Sequence, residues 1–387
     1  MFPGLNQLAV PLLIVVSGFV CLEFTFPVAI GEFIAGMIGG HFVDVRAVTW
    51  LKFFSYLGLL CLMFLAGFEV DLKILKKNFK KSLIIGFSSF FTPYLAVLIV
   101  GFILGFQLKV SLVVATALST TSLAMIFTIL KGADLIQTNH GQILLGSAMV
   151  VDLLSMLSLT LIFFDFSIYN FIYVAVLIVA VVFIERIVVS IFKRYKGNRF
   201  EFELKFLLLI LLGLGIISEG AGIHAAIIAF IVGIIFSDME KQHIAILEKL
   251  DTVVFSLLAP IFFFHAGSLI SLGRMNAQTW MLFSLFLLIA VVGKFFGSYF
   301  GLYYLYHKDT AVARFGGIVF NYRLSFGIVT GMYAYDAGLI TIELLNIIFL
   351  IVALSSVISV FLEKKLEKEV CIVKAPKDVK PPEVKPF

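Results

Sequence analysis

An all-α polytopic membrane fold of about thirteen transmembrane helices is what this sequence predicts, and three observations predict it. Of its 387 residues, 61% are hydrophobic and only 14% are charged, against about 25% charged in ordinary soluble domains. Apolar runs of about 20 residues recur along almost the whole chain, each long enough to span roughly 30 Å of hydrocarbon as a helix. Lysines and arginines fall into alternate connections between those runs, as the positive-inside bias requires.

In order, the expected spans are Leu5–Leu22, Pro27–His41, Trp50–Glu69, Lys80–Phe106, Val110–Leu130, Gly141–Phe164, Tyr169–Phe192, Glu203–Ser218, Gly222–Ser237, Val253–Leu269, Thr279–Tyr306, Ala311–Tyr335 and Thr341–Leu362. The second, eighth and ninth are short, which tilt or partial re-entry would accommodate. The first is not read as a signal peptide, because no positive region precedes it and no small-residue cleavage site follows.

Connections after odd-numbered spans, together with the C-terminal tail, hold Lys73, Lys76, Lys77, Lys80, Lys81, Lys193, Arg194, Lys196 and Arg199 among others, whereas the even-numbered connections hold Arg46, Lys52, Lys109 and Arg274. The N-terminus is therefore expected outside a cell membrane and the C-terminus in the cytoplasm. The stretch 364–387 is rich in Lys and Pro and lacks a periodic apolar face, so a short disordered cytoplasmic tail is expected there, with no soluble regulatory domain after it. Cys21, Cys61 and Cys371 are scattered, which gives no disulfide framework or metal site. The net charge of +5 sits in connections between spans, which argues against a nucleic-acid partner.

Met63–Leu72 aligns without gaps against Phe263–Leu272 and matches Phe64, Ala66, Gly67 and Leu72 with Phe264, Ala266, Gly267 and Leu272. The two segments end spans three and ten, which run in opposite directions. Opposed repeats are the mark of transporters whose site lies near the midplane where the repeats meet, although chance similarity of Phe- and Gly-rich helix ends is the competing reading. Spans five and six then have spans twelve and thirteen as partners.

An ionisable group in hydrocarbon costs about 2.5–3.5 kcal/mol on insertion scales, so deep charges face a cavity or a partner. Asp152, Lys294 and Arg323 are the deepest here; Glu32, His224 and His265 lie nearer span ends or can be neutral. Asp152 is twelfth in its 24-residue run, about midway through the bilayer. A carboxylate there can hold a proton, because loss of water favours the neutral acid, or a cation, which replaces the lost solvation. Competition between those two ligands is the minimal chemistry of exchange. A buried aspartate bonded only to neighbouring helices is the structural alternative.

Ser119, Thr120, Thr121 and Ser122 follow one another in span five and cover all sides of a helix. They suit a helix that unwinds and offers oxygen ligands to a hard cation, or else an ordinary helix whose hydroxyls bond back to the preceding turn. Span twelve carries Gly316, Gly317, Asn321, Arg323, Ser325 and Gly327 in an otherwise apolar segment and reads as a second broken helix. Arg323 there needs carbonyls or a carboxylate as partner, either as a clamp or in contact with substrate. Lys294 lies among Gly293, Gly297 and Gly301, a stripe that lets another helix come close. It either reaches Asp152 or snorkels. The 43 phenylalanines are lipid-facing and core residues. No HExxH motif, phosphate-cradling loop or nucleophile-and-base pair is present, so an enzyme is not expected, and no cofactor is implied.

The segments PVAIGEFIAGMIGG, LCLMFLAGFEVDLKIL, ALSTTSLAM, HGQILLGSAMVVDLLSML and APIFFFHAG, followed by those around Lys294 and Arg323, resemble in that order the monovalent cation:proton antiporter superfamily, closest to its NapA- and Kef-like branch. The resemblance covers Phe24 to Phe361 and implies a NapA-like fold in residues 1–363, usually a homodimer. Core helices would lie at about 80–165 and 279–362, the remainder would serve dimerisation, and spans five and twelve would be broken and cross. It also implies secondary active exchange of Na+ or Li+ for H+ by alternating access, with Asp152 as the ion and proton carrier and Lys294 as its charge partner. Val151 stands where electrogenic relatives have a second aspartate, which implies electroneutral one-for-one exchange. Leu324 and Ser325 stand where a glutamate often follows the arginine, leaving Arg323 without an assigned partner. Two rivals remain open: a K+/H+ antiporter or Kef-like K+ efflux system, and a Na+-coupled symporter for an organic solute.

Overall fold

The computed structural model describes residues 5–24, 26–42, 48–68, 78–133, 135–136, 138–163, 201–220, 225–237, 244–305 and 310–374, with a few positions between 168 and 194. Helices are the only regular structure among them: α1 (Leu5–Glu23), α2 (Val28–Phe42), α3 (Thr49–Phe68), α4 (Phe79–Ile103), α5 (Leu108–Ser119), α6 (Leu123–Gly132), α7 (Asn139–Phe163), α8 (Phe202–Gly220), α9 (Ala225–Ser237), α10 (Ile244–Val253), α11 (Ala259–Ser268), α12 (Ala277–Leu305), α13 (Thr310–Val319), α14 (Phe326–Asp336) and α15 (Ile342–Lys374). Every expected span except the seventh falls on these helices; most of the seventh, and His224, lie outside the described residues. Among the described residues six stretches are long and apolar enough to cross a membrane, and shorter apolar helices accompany them.

Sequence dictates several helix boundaries. Thr138, Asn276 and Thr341 stand before α7, α12 and α15, and their side-chain oxygens accept from the N–H groups of Gly141, Thr279 and Leu344 at 3.1, 2.9 and 3.5 Å. Each bond satisfies one of the donors that a helix start leaves open. Between α10 and α11 the chain makes a π-helical turn over Val254–Leu258. Pro260 lacks an N–H and its ring crowds the carbonyl four residues back, at Ser256 inside that turn, so the wider turn relieves the clash. The last helix continues to Lys374, so the disordered tail expected after Leu362 does not begin there. Glu, Lys and Leu, which fill 363–369, are strong helix formers, and they carry the helix past the last apolar turn.

The chain forms two compact units. The first comprises 44–72 and 160–265 with the first seven residues, and is built on α3 packed against α9. A Cβ on Gly67 would strike the carbonyl of Phe230, and one on Gly233 the carbonyl of Phe64. The second unit comprises 8–43, 73–159 and 266–387, and so takes in α2, α4–α6 and α12–α15 with most of α1 and α7. In it α12 packs along α4. Gly293 meets Pro93, Gly297 meets the Ser88 carbonyl and Thr92, and Gly301 meets Ser88 Oγ and Ile85. The glycine stripe thus has α4 as its partner, and Ser298 Oγ donates to Ser89 Oγ at 2.8 Å across the same seam.

The repeat extends further than the ten residues that first suggested it. Gly267 of α11 packs on Phe33 and Met37 of α2, just as Gly67 of α3 packs on Phe230 and Ile234 of α9. Aligned on those contacts, Val28–Gly40 and Ala225–Ser237 share six identities in thirteen positions, including Phe33 with Phe230 and Gly36 with Gly233. The two halves therefore repeat a helix pair together with its backbone-to-backbone contact. Where α9 has Ala229, α2 has the buried Glu32.

Gly297→Leu should force α12 off α4 and cost about 1–3 kcal/mol, the range for overpacking a close contact. A drop of several degrees in thermal unfolding of the detergent-solubilised protein is expected. Gly213→Ala in α8, where a Cβ would meet nothing within 4 Å, should leave that midpoint unchanged or slightly raised.

Candidate functional site

Helix α5 ends at Ser119, Thr120 is extended with φ −65° and ψ 163°, and the chain becomes helical again at Leu123. Helix α13 ends at Val319 and α14 starts at Phe326. Thr120–Ser122 and Phe320–Ser325 are thus two interruptions inside apolar segments, and both lie in the second unit. The hydroxyl and amide side chains at both breaks offer the backbone local alternatives to the helical ladder, and glycine at 316, 317 and 327 weakens it further.

Each interruption satisfies the other. The Ser122 N–H donates to the Tyr322 carbonyl at 2.6 Å, and Thr121 Oγ1 donates to the Phe320 carbonyl at 3.0 Å. Ser325 Oγ donates to Ser122 Oγ at 3.3 Å. A Cβ on Gly327 would sit 3.1 Å from the Ala117 carbonyl and 3.2 Å from Thr120 Oγ1, so glycine is what allows α14 to start against the end of α5. Thr120 Oγ1 itself donates back to Ala117 at 3.1 Å. The four consecutive hydroxyl residues accordingly divide their work: one closes its own helix end, two bridge to the second break, and Ser119 Oγ, fully buried, has no hydrogen-bond partner.

Breaking α5 leaves its last carbonyls open, and the C-terminal end of a helix carries partial negative charge. Two fully buried cations fill that position. Arg323 Nε donates to the Leu118 carbonyl at 2.8 Å, one terminal nitrogen donates to the Ala290 carbonyl of α12 at 2.8 Å and the other to the Asn321 carbonyl at 3.4 Å. The Lys294 ammonium donates to the Ser119 carbonyl. Backbone carbonyls of three elements are therefore the partners of Arg323 that the sequence left unassigned. Ser356 of α15 also accepts from the Arg323 N–H at 3.3 Å. Nothing in the sequence pattern marks Leu118 or Ala290, because the atoms used are main-chain atoms that every residue has.

Asp152 lies on α7 and is 4% exposed. The Lys294 ammonium is within electrostatic reach of the Asp152 carboxylate and of the Arg323 guanidinium, which draws the acid and the two cations into one buried cluster. Helix α7 is held there by Gly86 of α4, whose Cβ would press on Val150. A second tie is the hydrogen bond between Thr116 Oγ1 of α5 and Ser158 Oγ at 2.7 Å, with Ser158 Oγ donating onward to the Tyr94 hydroxyl at 3.4 Å. Asn321 is buried with its Nδ2 donating to the Gly317 carbonyl at 2.9 Å. His265 belongs to the first unit, where Nδ1 shares a 3.0 Å hydrogen bond with Ser55 Oγ. Glu32 is buried on α2 beside Cys21 of α1.

A sequence profile described as "Sodium/hydrogen exchanger, transmembrane" matches residues 9–364. The chain is 28% identical over 373 residues to the probable Na+/H+ antiporter 3 of Methanocaldococcus jannaschii, covering 92% of this chain and 94% of that one. It is 24% identical over 376 residues to the Na+/H+ antiporter of Enterococcus hirae, covering 90% and 94%. The fold matches the solved sodium proton antiporter MjNhaP1 of Methanocaldococcus jannaschii at pH 8 with a TM-score of 0.67 and 16% identity, over 95% of this chain and 97% of that one.

Replacing Arg323 by Met should leave the Leu118 and Ala290 carbonyls buried without their donors and cost about 3 kcal/mol, read as a fall in the thermal unfolding midpoint in the absence of transported ions. Arg323→Lys should fall between wild type and Arg323→Met, because one ammonium cannot reproduce a fork that reaches carbonyls on two helices.

Proposed function

This chain belongs to the sodium/hydrogen exchanger family of multi-pass membrane transporters, and from that premise we propose that it is a cation/proton antiporter in which Asp152 carries Na+ and H+ in turn. The observation that supports this reading is the buried cluster beside the two helix breaks, where one carboxylate shares an electrostatic neighbourhood with Lys294 and Arg323. Unwound backbone at membrane depth is tolerated where it lines a cavity or is buried in protein, and inverted-repeat transporters bind ions there.

The chemistry is competition for one acid. With a proton on Asp152 the carboxyl is neutral; without it the carboxylate attracts a hard cation, and hydroxyl oxygens complete the shell. Ser119 Oγ, buried and without a hydrogen-bond partner, is the favoured protein ligand beside Asp152. Alternating access exposes the site to one side at a time, so that each side loads the ligand that it holds in excess. Val151 adjoins Asp152 where a second acid would sit in an electrogenic relative, so one proton moves per cation and the exchange is electroneutral. The protein acts as a homodimer in the cell membrane, N-terminus outside and C-terminus inside, following the distribution of Lys and Arg.

In proteoliposomes with an imposed pH gradient, Asp152→Asn should reduce exchange to background while gel filtration still shows the wild-type oligomer; transport at the wild-type rate would remove Asp152 from the mechanism. A panel of Na+, Li+ and K+ in that assay should show Na+ and Li+ moving protons and K+ failing to do so. Electroneutral exchange predicts a rate independent of membrane potential and no sodium-driven current.

A further inference from the structure

Glu32 is a buried acid that the exchange mechanism leaves unused. It stands on α2 inside the second unit and is 5% exposed. Among the described residues no hydrogen bond and no ion pair holds its carboxylate. A carboxylate shut away from water without a counter-ion or a donor is costly, so the group calls for a ligand that removes its charge.

The helices around α2 supply little charge. Cys21 of α1 packs against Gly31 and lies within electrostatic reach of Glu32; the other ionisable residue of α1, Glu23, is exposed. Helix α15 meets α2 where Phe349 packs edge-on against Phe33 at 5.9 Å, and it has no ionisable residue between Glu343 and Glu363. Helix α11 meets α2 where Gly267 packs on Phe33, and its one titratable residue, His265, shares a hydrogen bond with Ser55. On α2 itself, His41 is exposed.

The repeat shows what this helix pair needs when no acid is present. Helix α9 makes the same backbone contact with α3 and has Ala229 at the position of Glu32. Glutamate is therefore not required for the packing, and its role is chemical. A hard cation would want several oxygen ligands, whereas the neighbour in reach is a thiol, a soft ligand that suits such an ion poorly. Among the described residues no group of three His, Cys, Asp or Glu side chains could hold a metal ion. A proton needs one acid and no further ligands.

We propose that Glu32 is a second proton-binding site of this chain, separate from Asp152 and closed to the transported cations, whose bound proton keeps α2 seated on α11 and α15. Loss of that proton places an uncompensated charge in an apolar helix contact and loosens it. The chain thereby responds to pH at a place that takes no part in loading the exchanged ions.

The test reads protonation and not transport, so its failure leaves the antiport reading untouched. Infrared spectroscopy of purified full-length protein in nanodiscs reads the carbonyl stretch of a protonated carboxyl, and isotope-labelled glutamate separates glutamate from aspartate. At neutral pH a protonated-glutamate band should be present, should be lost in Glu32→Gln, and should persist in Asp152→Asn and at saturating Na+. Raising the pH should remove it. Because the charge appears as the proton leaves, stability is lost on the alkaline side: over the same range the thermal unfolding midpoint of the wild type should fall by several degrees relative to Glu32→Gln, which keeps the shape of the neutral acid. No such band in the wild type, an unchanged band in Glu32→Gln, displacement of the band by Na+, or parallel melting profiles for the two proteins would each overturn the proposal. If Glu32→Gln does not fold, Glu32→Ala, which copies Ala229 of the other repeat, takes its place in the same comparisons.

Discussion

A main-chain polar group in hydrocarbon must find its partner inside the protein, and most of what is distinctive here follows from how two interrupted helices meet that demand. Either break alone would leave donors and acceptors of a half-turn or more facing apolar side chains. Brought together, Ser122 N–H meets the Tyr322 carbonyl and Thr121 meets the Phe320 carbonyl. The end of α5 then becomes a negative pole that two cations occupy. The breaks are mutually stabilising in a strict sense: straightening one removes the partners of the other. A site assembled this way is defined by main-chain geometry first, and its side chains are chosen to fit.

The halves of the chain are similar in backbone and unlike in charge. Gly67 and Gly267, and the starts of the breaks at Thr120 and Phe320, are two hundred positions apart. At the same offset Asp152 corresponds to Val352, and Lys294 to Tyr94. The acid belongs to the first repeat and both cations to the second, so the opposite charges of this cluster come from different repeats. The first break is short and lined with hydroxyls; the second is longer and carries the guanidinium that closes the first. The two breaks are thus alike in backbone and different in chemistry, one presenting hydroxyls and the other a guanidinium that donates to the end of α5.

Much of this was legible in the sequence because hydrocarbon allows few solutions. Span positions followed from apolar runs, and the breaks followed from Ser119–Ser122 and from the Gly, Asn and Arg residues of span twelve. The glycine stripe around Lys294 announced a close helix, though not that it would be α4 with Pro93 opposite Gly293. Contacts made through main-chain atoms were illegible: the carbonyls of Leu118 and Ala290 that hold Arg323 have no residue-type signature. The continuation of α15 to Lys374 is hard to read in advance because a polar stretch suits a disordered tail by composition, while its Glu, Lys and Leu residues favour helix. The Phe33 and Phe230 repeat has only six identities, and its meaning lies in the packing of Gly267 and Gly67 on equivalent carbonyls.

The placement of the two cations bears on why one carboxylate suffices for the proposed exchange. A guanidinium paired directly with the acid would compete permanently with an arriving Na+, since it cannot give up its charge. Here at least three Arg323 donors are turned to the carbonyls of Leu118, Ala290 and Asn321, and one Lys294 donor is turned to Ser119. Carbonyl dipoles at a helix end can balance part of a positive charge without being titrated or exchanged. The cations can therefore hold the crossing in shape while the acid remains the group whose ligand changes. On this view the broken helix is a fixed counter-charge that lets two buried cations coexist with a third, transient one.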